Sequence, residues 1–444
     1  MTAVAMETDA YRASFERFAA AARSEPSWLR ERRTVAMARF VERGFPGPRD
    51  EAWRHTPIAP LVRTRFEAAD PAARPDADTV EGLGFGSDGP RVVIVNGRFS
   101  HKLSSNGPAR AGVDILPLGE ALARRPELEA HLGVVTGESA SVFCDLNTAF
   151  AEDGAAVLLA PGTTLEEPIH VAHVQVTDGR PTVAYTRTLV VAGRGSQCRI
   201  VESFAGPDER TYLTNAVTEV HVGPNGRVDH YKLQREGREA FHVATLVARL
   251  QRDARFADHA ISLGAVLSRN DIEVRFEGEG GECVLNGLFL VNGKRLTDTH
   301  SRIDHIRPHC SSRELYKGVL DQQARGVFNG LIVVRRGAQK TDAWQTNKNL
   351  LLSKDALVHS TPQLEILADD VKCKHGSTTG QIDPAALFYL RSRGIAEAAA
   401  RSLLTHAFAS DLVRRLEVAS LREAVERHLQ EYLPGGAEIR EAVA

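Results

Sequence analysis

The chain has 444 residues, 43 % of them apolar and 25 % charged, with a formal net charge of -2. That is long enough for two or more domains or for one large elongated one, and the near-neutral balance argues against nucleic acid or a charged membrane surface as a partner. The five cysteines Cys144, Cys198, Cys283, Cys310 and Cys373 are widely spaced and odd in number, which does not suit a secreted disulfide framework.

In chain order, residues 1–67 read as an N-terminal helical region. Glu7 and Asp9 stand where an export signal would need an apolar core. No run is long enough to cross a bilayer. The expectation is a cytoplasmic protein with reduced thiols. Tyr11, Phe15 and Phe18 make one apolar stripe, and Leu29, Val35, Met37, Phe40 and Val41 a second, stopped by Gly44, Pro46 and Pro48. A short polar segment, Asp50-Glu51-Ala52-Trp53-Arg54-His55-Thr56, surrounds one tryptophan. Residues 68–90, rich in Ala, Asp, Pro and Gly, read as a linker.

Residues 91–382 are a succession of short β-rich runs such as Thr188–Val191 and Asp271–Phe276, punctuated by Asn-Gly at positions 96, 225, 286, 292 and 329. So much strand in one unit fits either two stacked sandwiches or a β-solenoid. No strict period is visible to decide between them. Within this span His300, His305, His309 and Cys310 cluster in sequence. The odd separation of His300 and His305 puts them on opposite faces of a strand, and a structural role is the better reading.

Near its end the span holds Cys373 and His375. On an extended segment, residues i and i+2 leave the same face. A thiolate and an imidazole could then address one metal ion. They make half of a tetrahedral set, so further ligands must come from elsewhere, such as a second subunit. Lys372 and Lys374 alternate with them and are expected to favour the thiolate modestly.

Residues 383–444 turn helical. Asp383 caps the first helix with Pro384 at its first position, and Gly394 ends it. A second helix, 396–416, carries a stripe including Leu403, Leu404, Phe408 and Leu412. That stripe is either packing or a docking surface. A third helix is expected to start at Ser420 with Glu423 closing a capping box. There is no phosphate-binding G-x-x-x-x-G-K-[ST] loop and no G-x-S-x-G nucleophile elbow, so the chain is read as a non-enzyme without its own nucleotide site.

Three segments together resemble the SufB/SufD family of iron–sulfur cluster assembly proteins. They are Thr299-His300-Ser301 through Tyr316-Lys317; Arg325-Gly326-Val327-Phe328-Asn329-Gly330 through Asn349-Leu350-Leu351-Leu352-Ser353; and Ser360-Thr361-Pro362-Gln363 through Cys373-Lys374-His375-Gly376 and Leu387–Ile395. The Asp50–Thr56 segment and the Cys373–Gly376 motif resemble the SufD branch. Where SufB typically carries a cluster-building cysteine, this chain has Thr346. The resemblance implies a mainly β fold, a right-handed parallel β-helix flanked by N- and C-terminal helices. It implies a scaffold or accessory subunit that pairs with a SufB-like chain. It also implies an ABC ATPase like SufC on the C-terminal helices, and iron or a transient iron–sulfur cluster held at the subunit interface by Cys373 and His375 with partner ligands. It leaves open a homodimer of the isolated chain and a flavin on the complex. The rival readings are a SufB-like scaffold that builds clusters itself and a carbohydrate-active β-helix enzyme.

Overall fold

The structure, a computed structural model, describes residues 3–21, 25–70, 72–75, 89–105, 107, 110–133 and 141–433. From Gly154 on, the β-branched runs become strands that alternate between two sheets. Each coil gives one strand to the first sheet and the next to the second. Eight coils run from Gly154–Leu159 with Ile169–Val174 to Leu357–Ile366 with Lys372–Gly380. Neighbouring coils pair in parallel throughout. The fold is therefore a parallel β-solenoid, not two sandwiches.

The coil length explains why no period shows in the sequence. Register partners are 26 residues apart at Phe241 and Leu267, but 33 apart at Gly154 and Arg187. The insertions fall in the turns, where extra residues cost little. Two of the Asn-Gly pairs are not turns. Asn286-Gly287 and Asn329-Gly330 lie inside the strands Glu282–Val291 and Arg325–Val334. There a Cβ would collide with the Tyr316 ring at Gly287 and with the Gln345 amide at Gly330, so glycine makes room for the layer beside it.

Inward-facing residues of both sheets form one apolar core, including Val157, Ile200, Val228, Phe256, Leu285, Ile303 and Phe328. A buried polar group shares the interior. Glu202 accepts hydrogen bonds from Thr188 at 2.5 Å and Thr218 at 2.6 Å, and meets His173 at 3.1 Å and His230 at 2.9 Å; His230 also meets Asp258 at 2.7 Å. Burial pulls the His230 imidazole down, but its two carboxylate partners outweigh this and raise it to about 9.

Helices cover the outer faces. Phe15, Met37, Phe40, Trp53 and Leu61 pack on Leu213, Phe241, Val243 and Leu267 of the first sheet. The Asp50–Thr56 segment fastens this layer. Trp53 is buried under the Arg269 guanidinium, 3.8 Å from the ring centroid. Arg269 in turn pairs with Asp298 at 2.6 Å, and the Thr56 hydroxyl donates to the same carboxylate at 2.6 Å. On the second sheet, Ala409, Leu412, Val413, Leu421, Val425 and Leu429 pack on Val201, Tyr231, Leu233, Ile261, Leu288 and Val319.

The helical elements depart from the sequence reading in two places. Helices Leu118–Arg124 and Val142–Phe150 stand before the first full coil, inside the stretch expected to be strands. The last helix, Ala419–Tyr432, starts after Val418 without a side-chain cap, so the Ser420–Glu423 capping box does not form. The first C-terminal helix, Pro384–Ser392, is capped as expected by the Asp383 carboxylate, which accepts from Ala385 N–H at 2.9 Å. Gly394 follows it at φ +86°. Most of the expected linker, residues 71 and 76–88, lies outside the described residues.

Candidate functional site

The solenoid is uncapped at its C-terminal end. The first sheet finishes on Leu357–Ile366 and the second on Lys372–Gly380, and no strand pairs with the outer side of either among the described residues. Two strands of 10 and 9 residues thus leave outward N–H and C=O groups open to another chain. The face of the last strand is open too: a Cβ at Gly376 or Gly380 would meet nothing within 4 Å. Exposed Trp344, Leu357, Ile366 and Leu367 surround this end.

Cys373 and His375 stand on the last strand. In register Cys373 lies beside Ala343 and His375 beside Gln345. Ala343 belongs to the buried core, and Cys373 packs half-buried against that core. Position 373 therefore faces inward, and position 375 follows it by the two-residue period, as the spacing predicts. Lys374 faces away, with its Nζ 3.2 Å from the Trp344 ring centroid; Arg313 flanks the same ring at 4.8 Å. The expected lowering of the thiol by the lysines is not what the structure shows. Burial pushes the Cys373 thiol up, against the backbone N–H of Ala343 that favours the thiolate. The lysine charge on the opposite face does not reverse that desolvation.

A residue that sequence reading missed lies two layers further in. Along the second sheet the register runs Leu285, Glu314, Gln345, His375. Glu314 is buried and accepts from Gln345 Nε2 at 2.7 Å. Burial pushes its carboxyl up to about 7, although hydrogen bonds from Ser301 and Gln345 pull the other way. Beside it Asn347 accepts from Ser360 at 2.8 Å and from Asn349 at 2.6 Å, and the Ser360 and Ser377 hydroxyls are 2.8 Å apart. Two separate hydrogen-bonded groups, Glu314 with Gln345 and Ser377 with Ser360, Asn347 and Asn349, thus lie in the last coils. Only coil-to-coil register could have revealed them.

The other sequence candidates do not converge. His300 sits 3.1 Å from Asp298, while His305 is buried against Ser312 at 3.0 Å with its imidazole pushed by burial to about 4. His309 is in a turn at φ 61°, and burial raises the adjacent Cys310 thiol to about 11. Among the described residues no group of three or more His, Cys, Asp or Glu side chains could hold a metal ion. The last strand carries one thiol and one imidazole at the open end, fewer groups than a tetrahedral metal site needs.

The C-terminal stripe mostly faces inward. Leu412 is buried in the core beneath the helix Glu397–Val413, and Phe408 packs partly buried against it. Lys317 reaches the Phe408 carbonyl at 2.9 Å and Asp411 at 2.9 Å, with the Phe408 ring 4.8 Å away. Leu403 and Leu404 are half-buried. The helix buries this face on its own sheet, so Leu412 is not a surface residue. The large apolar side chains exposed on the C-terminal helices are Phe388, 73 % exposed, and Tyr389, 57 % exposed.

Two family profiles match. Residues 6–171 match the SufBD protein N-terminal region, and residues 173–408 match the SufBD core domain of SUF-system iron–sulfur cluster assembly. The chain belongs to the SufBD family. It is 33 % identical to an iron–sulfur cluster assembly SufBD family protein of Synechocystis sp. over 90 % of both chains. It is 30 % identical to the iron–sulfur cluster assembly protein SufD of Escherichia coli, over 90 % of this chain and 92 % of that one. A chloroplastic protein of Arabidopsis thaliana named ABCI7 is 28 % identical over 87 % of this chain and 82 % of its own length. This is thus a SufD-like SufBD protein of iron–sulfur cluster assembly, and the family match sets the carbohydrate-active reading aside. In this SufBD chain no helix among the described residues is long and apolar enough to cross a membrane.

Proposed function

We propose that this SufD-like chain is the accessory scaffold subunit of a cytoplasmic assembly complex and that its open solenoid end is the joint to a SufB-like solenoid. The observation that carries this reading is the coincidence at one place of two unpaired strand edges, an apolar rim and the inward pair Cys373 and His375. Strand addition across the joint satisfies the edge hydrogen bonds, and a partner's ligands complete the half-site. Iron, or a cluster in assembly, is the cargo held there. A metal ion with partner ligands would lower the Cys373 thiol that burial raises. The ATPase of the complex, of SufC type, docks on the C-terminal helices through exposed Phe388 and Tyr389.

The test is co-purification with SufB- and SufC-like partners. His375→Ala and Cys373→Ser complexes are expected to assemble with unchanged stoichiometry and to give less cluster absorbance on iron and sulfide reconstitution. Wild-type yield from both variants would make the pair structural. A chain that builds clusters unaided would favour the SufB-like scaffold. The isolated chain is expected to pair with itself through the same edges.

A further inference from the structure

The Asp50–Thr56 segment crosses the strands of the first sheet instead of following one. Trp53 lies under Arg269, whose Nη1 donates to the Ala52 carbonyl at 2.6 Å, and the Thr56 hydroxyl donates to Asp298. Arg269, Asp298, Val327 and His359 are register neighbours on four successive strands of that sheet. At the usual strand spacing the row is about 14 Å long. It ends on Leu357–Ile366, the last strand of the sheet. There the segment makes a further contact: the rings of His55 and His359 stack, with centroids 3.8 Å apart and planes at 13°. The segment is thus a strap laid from an inner coil to the open end.

The two ends of the strap respond differently to protons. At the inner end, burial pushes the Asp298 carboxyl up, but Arg269, His300 and Thr56 outweigh it and hold it at about 2. Trp53 and Thr56 are buried beside it. That anchor keeps its charges from mildly acid to neutral pH. At the outer end both groups are imidazoles, the side chain that ordinarily titrates between about pH 5 and 8. His55 is exposed and His359 half-buried, so solvent protons reach the pair. Burial pushes the His359 imidazole down, and His55 and Arg325, at the start of the adjacent strand, push the same way. Asp271 and Asp298 on the strands further in are paired to Arg269, and Asp298 also to His300. On the strap Asp50 accepts from Gly47 N–H at 2.6 Å, while Glu51 and Arg54 are exposed, as are Lys354 and Asp355 in the turn before the end strand.

Stacked imidazoles tolerate one charge; two imidazoliums in face-to-face contact repel. Because the folded His359 value lies below the ordinary 6.5, the stabilisation is present above that ordinary value and is lost as pH falls through the folded one. We propose that His55 and His359 form a proton-sensitive clasp, which holds the strap on the end strand at neutral pH and releases it on acidification while Trp53 and Thr56 stay anchored. The clasp does not depend on the partner or metal roles proposed for the open end.

Amide exchange on the full-length chain tests this at Arg54 and Thr56, whose N–H groups donate to the Glu51 and Trp53 carbonyls. Each variant is compared with the parent at the same pH, which cancels the intrinsic pH dependence of exchange. His359→Ala is expected to speed exchange at these amides by about threefold near pH 8, the size of one aromatic pair. Near pH 5 it is expected to change nothing, because the parent's clasp is already open. His359→Phe stacks on His55 in either charge state and is expected to keep the slow rate at both pH values. Circular dichroism checks each fold. If His359→Ala misfolds, His55→Ala gives the same comparison read at Arg54. The proposal is overturned if the folded alanine variant exchanges as the parent does near pH 8, if its difference persists unchanged near pH 5, or if His359→Phe opens in acid as the parent does.

Discussion

At the residue scale the chemistry of the open end is set by burial more than by neighbouring charge. Glu314 illustrates it. Its folded carboxyl is raised to about 7 from an ordinary 4.5, so the native state binds the more protons between those values. Stability from this group is therefore full below about 4.5 and falls as pH rises to about 7. Glu314→Gln removes the titration and keeps an acceptor for Gln345. Urea melts are expected to coincide for parent and variant near pH 4 and to separate by pH 8, the variant being more stable by up to about 3 kcal/mol. A gap that stays constant with pH would show that this carboxyl does not titrate in that window. The contrast with Cys373 and His375 says what a sequence can reveal. Their shared face follows from a spacing of two within one strand. Glu314 lies under His375 only because coils of unequal length stack in that register, and no local pattern carries such information.

Elements show a similar division. The amphipathic stripe of residues 396–416 correctly marks a helix with a buried side, but a stripe does not name what buries it. Here the second sheet's own outer face does, through Leu233, Ile261 and Leu288. Substitutions on the two kinds of apolar position should therefore part ways. Leu412→Asp puts a charge into that packed core and is expected to lower the unfolding free energy by several kcal/mol, on the order of 3–5 kcal/mol as for an uncompensated buried charge. Phe388→Asp changes an exposed ring and is expected to leave the melt unmoved while weakening ATPase capture. If Phe388→Asp and Tyr389→Asp together leave capture intact, docking lies elsewhere on the chain. Apart from its resemblance to the SufD branch, the Asp50–Thr56 segment was legible only as a polar oddity around Trp53. Its partners Arg269 and Asp298 are more than 200 residues away, and a contact that distant leaves no trace in spacing.

The whole molecule is a stack in which each coil touches its neighbours, so stability is shared locally and the end coil has a neighbour on one side only. Strand propensity and glycine punctuation made the β-rich span readable, while the drift of the coil length from 26 to 33 residues hid the repeat that would have identified a solenoid without the family resemblance. The stack also predicts where it opens. The last strands, Leu357–Ile366 and Lys372–Gly380, are half-buried or exposed along most of their length, whereas Phe241–Leu250 is buried at nearly every position. Amide exchange follows local opening. In the isolated chain the two end strands are expected to exchange fastest of the solenoid, and Phe241–Leu250 among the slowest. A solenoid partner seated on the open end converts those strands into interior ones. Their protection should then rise by about tenfold or more, the equivalent of about 1.4 kcal/mol of added local stability, while the central coils change little. Protection that appears instead on the helical faces, with the end strands still open, would place the partner elsewhere and leave Cys373 and His375 outside the joint.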